Sequence, residues 1–268
     1  MDTAVARRPK VSHDSAARAA IIPALEARPL GPAERIGQAL PAWHPAAIWV
    51  AGLVLCWAAL ALVTTLAGLA FTTWIVPLDG VDSADAAPVK WMAEHRTSLL
   101  DAASFLGSEV SGGFVIPALV GAVVIISAFQ KRWLLAGFVL SSIVIESGTY
   151  RTAVFFVDRD RPDVKRLEDL PVDASYPSGH VAASIAVYSG FALLLTSRMT
   201  STRNKVFVWA GALVIPVVVA VSRMYRGMHH PLDTFAGVLI GIAALSLALL
   251  LTRVTGYVDR RRKEAARA

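Results

Sequence analysis

Three short polar patches carry the residue types that could do chemistry in an otherwise apolar chain. Residues 158–163 contain Arg161-Pro162, a second patch reads Pro177-Ser178-Gly179-His180, and residues 222–233 contain Arg223, His229 and Asp233. A helix that opens on Ser178 and Gly179 offers free backbone N–H groups and the positive end of its dipole, an arrangement suited to an anion. Arg161 and Arg223 add planar donors matched to phosphate oxygens. His180 and His229 can serve as nucleophile, base or acid. A carboxylate such as Asp233, bonded to one ring nitrogen, fixes the tautomer and frees the other nitrogen. Phosphoryl transfer needs placement and charge stabilisation, and this set supplies both. Two histidines and an aspartate also suggest a metal site, but outward arginines repel a cation, so no metal is expected.

The elements that must position these patches are membrane helices. Hydrophobic residues make up 55% of the chain and charged ones 17%, with a mean hydropathy of +0.55, far from a soluble domain. Stretches long enough to cross about 30 Å of hydrocarbon, roughly 20 residues each, fall at residues 46–76, 110–130, 133–157, 181–197, 206–222 and 234–252. An all-α, integral membrane six-helix bundle is expected, since unpaired strands cannot satisfy their backbone in lipid. Gly237 and Gly241 have the spacing of close helix packing. Most of the Trp residues lie near span ends, as aromatic belts do. Residues 93–107 suggest a short amphipathic helix at the outer surface, with Leu99, Leu100, Ala103 and Leu106 inward.

Residues 1–45 lack an apolar core followed by a cleavage site, so they are expected as a basic cytoplasmic arm rather than a leader. They precede a membrane domain at 46–252 and a basic tail at 253–268; the first arm is expected to be disordered or loosely helical and the tail disordered. Lys131-Arg132, the Arg198/Arg203/Lys205 connection and the tail share one side, which the positive-inside rule makes cytoplasmic together with both termini. Arg159, Arg161, Lys165 and Arg166 break that alternation on the outer side, which points to an anionic ligand. The net charge of +6 suits anionic lipid headgroups rather than nucleic acid. Cys56, the single cysteine, excludes an intramolecular disulfide. Oligomeric state is not legible.

The spacing of Ser222-Arg223, His229 and Asp233, preceded by Pro177-Ser178-Gly179-His180 and by Arg161-Pro162, resembles the three ordered motifs of the type-2 phosphatidic acid phosphatase superfamily, the lipid phosphate phosphatases. The resemblance covers about residues 95–252. It implies a six-helix membrane fold and a phosphatase that needs neither metal nor cofactor, acting on a lipid phosphate or diphosphate such as a polyprenyl diphosphate or a phosphatidate. It further implies His229 as the nucleophile that becomes phosphohistidine, Asp233 as its orienting partner and His180 as general acid. Arg161, Arg223, Ser178 and Gly179 would hold the phosphoryl oxygens. Val154 stands where the family has the lysine of its first motif; Arg151, Arg159 or no residue replaces that charge. Transfer to another lipid or sugar, and a non-catalytic lipid-binding or transport role, are the alternative functions. His230 is expected as a loop residue, Arg226 and Lys165 as solvated, and Glu146 as a partner for a neighbouring helix or Arg151.

Overall fold

The computed structural model describes residues 22–169 and 173–268, and among these it contains helices and no strands. A short 3-10 turn at Pro23–Leu25 leads to α1 (Pro32–Gln38), followed by α2 (Pro45–Ile75), α3 (Val81–Glu94), α4 (Ser98–Glu109), α5 (Val115–Phe129) and α6 (Trp133–Phe156). After a long connection come α7 (Gly179–Thr196), α8 (Thr202–Tyr225) and α9 (Pro231–Ala265). α2, α6, α7, α8 and α9 are long and apolar enough to cross a membrane, and α5 is a shorter apolar helix of 15 residues. Each of the six expected segments is helical, five of them long enough to cross a membrane, and the second begins only at Val115 because the Gly112-Gly113 pair forms a turn after α4.

α9 packs against α2, α6 and α7, while α8 leans on α4 and α7. Phe138 and Ile145 of α6, Val187 of α7 and Ala244 and Ala248 of α9 form the centre of the core. Val54, Leu55, Leu62, Val63 and Leu66 of α2 point outward, as expected of side chains that face acyl chains. The spacing of Gly237 and Gly241 has the meaning expected of it. A Cβ on either would stand 2.5 Å from the Ser178 carbonyl oxygen or 2.6 Å from that of Ala182, so α7 and α9 touch backbone to backbone.

Three expectations are corrected. The leucine face assigned inward on α4 is outward: Leu99, Leu100 and Leu106 are exposed, and Ser104, Gly107 and Ser108 are buried. The small face wins because Gly107 abuts Ser222 of α8, and lipid, unlike water, imposes no cost on outward leucines. The tail is not a disordered arm: residues 253–265 continue α9, whose Arg262 and Lys263 suit the negative end of the helix dipole. The N-terminal arm folds from residue 22 onward, with Leu25 in the core and Ala33 buried against Val254 and Val258 of α9. Arg253 Nε donates to the Ala24 carbonyl at 2.9 Å, and Arg260 pairs with Glu26 at 2.9 Å. Residues 1–21 of the expected arm lie outside the described residues.

Candidate active site

The polar patches meet at one end of the bundle, where α6 and α8 stop and α7 and α9 start. The start of α9 is built first by local chemistry. His230 is the N-cap, Pro231 fills the first helical position, and Asp233 stands third, where its Oδ2 accepts the His230 backbone N–H at 2.8 Å. His230 Nδ1 also lies 3.3 Å from Oδ2. This residue, expected as an ordinary loop histidine, is buried and helps start the helix. The other Asp233 oxygen accepts from Arg159, whose second arm donates to Asp85 Oδ2 at 2.7 Å. Asp85 Oδ1 in turn accepts the Leu232 N–H at 3.0 Å. Two buried carboxylates thus share one guanidinium, which stacks over the Phe71 ring 5.0 Å away. Although burial works against its charge, the two aspartates raise the Arg159 pKa above the usual arginine value.

His229 precedes the helix and is buried. Its Nδ1 donates to the Ser175 carbonyl oxygen, 2.7 Å away, which leaves the lone pair on Nε2. The expected Asp233 contact is replaced by this carbonyl, because the helix cap and Arg159 already hold the carboxylate. Burial, reinforced by Arg223, pushes the His229 imidazole well below its ordinary pKa, while the nearby Asp233 opposes this; the ring is neutral at physiological pH. A neutral imidazole with a free Nε2 is chemically a nucleophile.

Ser178 caps α7 by position but not by its hydroxyl. Its backbone N–H donates to the Asp233 carbonyl at 3.0 Å, which joins the starts of α7 and α9, and its buried Oγ has no protein partner. Gly179 lies under the Tyr150 ring of α6, where a Cβ would be 2.9 Å from ring carbons. Half-buried His180 occupies the first turn, its carbonyl accepting from Ser111 Oγ. Arg161, in the α6–α7 connection, donates to the Met228 carbonyl. Arg223, at the end of α8, is fully buried; its Nη1 donates to Ser108 Oγ at 2.8 Å and to Glu168 Oε2, while Nε and Nη2 have no protein partner. Arg223, Asp233, Arg161 and His180 all stand near enough to His229 to bias its protonation, so these groups share one polar layer. Beside Arg161 opens a polar recess of about 350 Å³ lined also by Asp160, Asp163, Arg166 and Asp173.

The two candidates for the charge missing at Val154 fare differently. Arg151 is exposed, because its neighbour Tyr150 takes the inward position on α6, so the structure does not bring Arg151 to the cluster. Arg159 reaches the cluster but is committed to Asp85 and Asp233. Arg226, expected as solvated, is buried: it pairs with Glu168 and lies over the Phe105 ring. Asp85, Ser108, Glu168 and Ser175 were missed in the sequence, where no motif marks them. The only hint for Glu168 was its place beside a basic cluster. Among the described residues no group of three or more His, Cys, Asp or Glu side chains is placed to hold a metal.

The family model of the PAP2 superfamily matches residues 130–256. Undecaprenyl-diphosphatase of Sulfolobus acidocaldarius is 43% identical over 75 residues, 28% of this chain and 32% of that protein. Decaprenylphosphoryl-5-phosphoribose phosphatase of Mycobacterium tuberculosis is 30% identical over 161 residues, 56% of this chain and 76% of that protein. The chain therefore spans about a third of the first relative's length and about three quarters of the second's. Among solved structures, the PAP2-type phosphatidylglycerolphosphate phosphatase of Bacillus subtilis matches with a TM-score of 0.56 at 24% identity, covering 78% of this chain and 94% of that one.

Proposed function

This chain belongs to the PAP2 superfamily, and on that premise we propose that it is a membrane phosphatase that hydrolyses the phosphate monoester or diphosphate headgroup of a lipid. One observation carries the reading: two donors of Arg223 and the hydroxyl of Ser178 are buried without protein partners, in the layer that holds His229. Buried polar atoms are ordinarily paired, and phosphoryl oxygens match these three. The two relatives, a diphosphatase and a phosphatase named for polyprenyl lipids, support the same substrate class.

The roles implied by the family motifs are the ones we assign, and the geometry supports them. His229 Nε2 attacks phosphorus while Arg223, Arg161, Ser178 and the Gly179 amide hold the phosphoryl oxygens. The bond from phosphorus to the lipid oxygen breaks, and His180 supplies the proton that the departing oxygen needs. Water, deprotonated by His180, then attacks the phosphohistidine, the N–P bond breaks and inorganic phosphate leaves. Asp233 acts at one remove. It starts the helix that directly follows His229 and contributes the negative charge that favours a cationic ring. Both termini are assigned to the cytoplasm and the site to the extracytoplasmic face, on the grounds that Lys131, Arg132, Arg198, Arg203 and Lys205 lie at the opposite end of the bundle from His180 and His229.

The test is phosphate release in detergent from phosphatidate, phosphatidylglycerol phosphate and a polyprenyl diphosphate, with EDTA present. Activity should survive EDTA and drop roughly a thousandfold or more in His229→Ala, as removal of a nucleophile does. No release from any of the three would sink the reading. Release that requires an added lipid or sugar acceptor would reassign the protein as a phosphotransferase.

A further inference from the structure

A guanidinium presents its five N–H groups in a rigid plane, so what holds one edge decides where the other points. In Arg223 the held group is Nη1, bonded to Ser108 Oγ of α4 and to Glu168 Oε2 of the α6–α7 connection. The opposite edge, Nε and Nη2, has no protein partner although the side chain is fully buried. That edge is a two-donor fork of the shape that takes two oxygens of one phosphoryl group. Glu168 is itself fixed. Its second oxygen accepts from Arg226 Nε, Arg226 Nη2 donates to the Leu167 carbonyl at 2.9 Å, and the Leu167 N–H donates to the Arg226 carbonyl at 3.1 Å. The connection is fastened further by Arg96, which bridges the Lys165 and Tyr225 carbonyls.

Resting on the phosphatase reading above, we propose that Glu168 is a positioning residue: by holding Nη1 of Arg223 it turns the Nε–Nη2 edge onto the phosphoryl group. It acts through Arg223 and touches no reacting atom. Burial alone would raise the Glu168 pKa, yet Arg223 and Arg226 together hold it below the usual carboxylate range, so the clamp is charged whenever the site is at work. The carboxylate also offsets part of the positive charge facing the substrate. Its removal should therefore loosen the aim of the fork without weakening the attraction for an anion.

That combination separates positioning from a plain structural role. Glu168→Gln keeps the size and loses the charge. Its kcat on phosphatidate should fall roughly tenfold, the scale of one charge-assisted hydrogen bond. KM and the inhibition constant for inorganic phosphate should stay level or tighten, with the helical content in detergent intact at the assay temperature. The same substitution in an Arg226→Met background should cost the same factor, because the effect runs through Arg223. Wild-type kcat in Glu168→Gln would overturn the role. So would a loss that appears mainly in KM, or one that vanishes with Arg226 replaced, since either would make Glu168 only a fastener of the connection. A wild-type protein that releases no phosphate overturns the phosphatase reading and this role together, whereas an active wild type with an indifferent Glu168→Gln overturns this role alone.

Discussion

Arg159 is the residue on which the charge balance of the site turns. It is the shared partner of Asp85 and Asp233, each nearly inaccessible to solvent, and removing it would leave two buried carboxylates facing each other. Breaking a buried pair of this kind costs about 3–5 kcal/mol. Arg159→Met should therefore lower the unfolding temperature in detergent far more than Arg151→Met, whose side chain is exposed. Equal unfolding temperatures for the two variants would show that the Asp85–Arg159–Asp233 bridge is absent in solution. The side-chain types of this site were legible in the sequence, and their pairings were not. The spacing of His229 and Asp233 suggests direct contact, but His229 lies before the helix and Asp233 in its first turn, where a carboxylate is drawn to free backbone N–H groups. The partners of Arg223 were harder still. Ser108 and Glu168 lie 115 and 55 residues away in sequence, and no local pattern encodes a pairing at that separation.

Elements were legible where their signal is one-dimensional. Five long spans follow from apolar length, and a close packing face on α9 follows from two glycines four residues apart, although its partner α7 does not. The facing of α4 was not legible. An inward-leucine rule presumes water outside, whereas lipid reverses the argument and leaves small residues to choose the packed side. The glycine pair makes a sharper claim than packing alone. A Cβ at position 241 would stand 2.8 Å from Ile185 Cβ as well as meeting the Ala182 carbonyl, so a larger side chain must push α7 and α9 apart. Gly241→Leu should cost about 1–3 kcal/mol of stability, the usual price of overpacking. Displacement of Ser178 and His180 relative to His229 by about 1 Å should remove roughly a hundredfold of activity. Measuring unfolding and phosphate release on the same preparation checks both. A variant that loses stability while keeping full turnover would show that the two helix starts are not held in register by this contact.

For the whole molecule, the two ends of the bundle differ in kind. One gathers His180, His229 and His230 with Arg159, Arg161, Arg223 and their carboxylates, and the other carries the basic connections and the far end of α9, packed against α1. The orientation argued from that contrast is open to a direct check. In a Cys56→Ala background, a cysteine placed at Asp163 should react with an impermeant thiol reagent on intact cells, and one placed at Lys131 only after permeabilisation. The reverse pattern would turn the site toward the cytoplasm. α9 ties the two ends together as a single rigid element. Its 35 residues at about 1.5 Å each reach roughly 52 Å, more than the 40–45 Å or so of a whole bilayer with its headgroups. The rod starts beside His229 and finishes among Arg260, Arg261, Arg262 and Lys263, which seek the opposite headgroup layer. The immersion depth of His229 is therefore tied to the far side of the membrane. In a thicker or thinner bilayer the basic end keeps its level, and His229 sinks below or rises above the plane at which lipid phosphates lie.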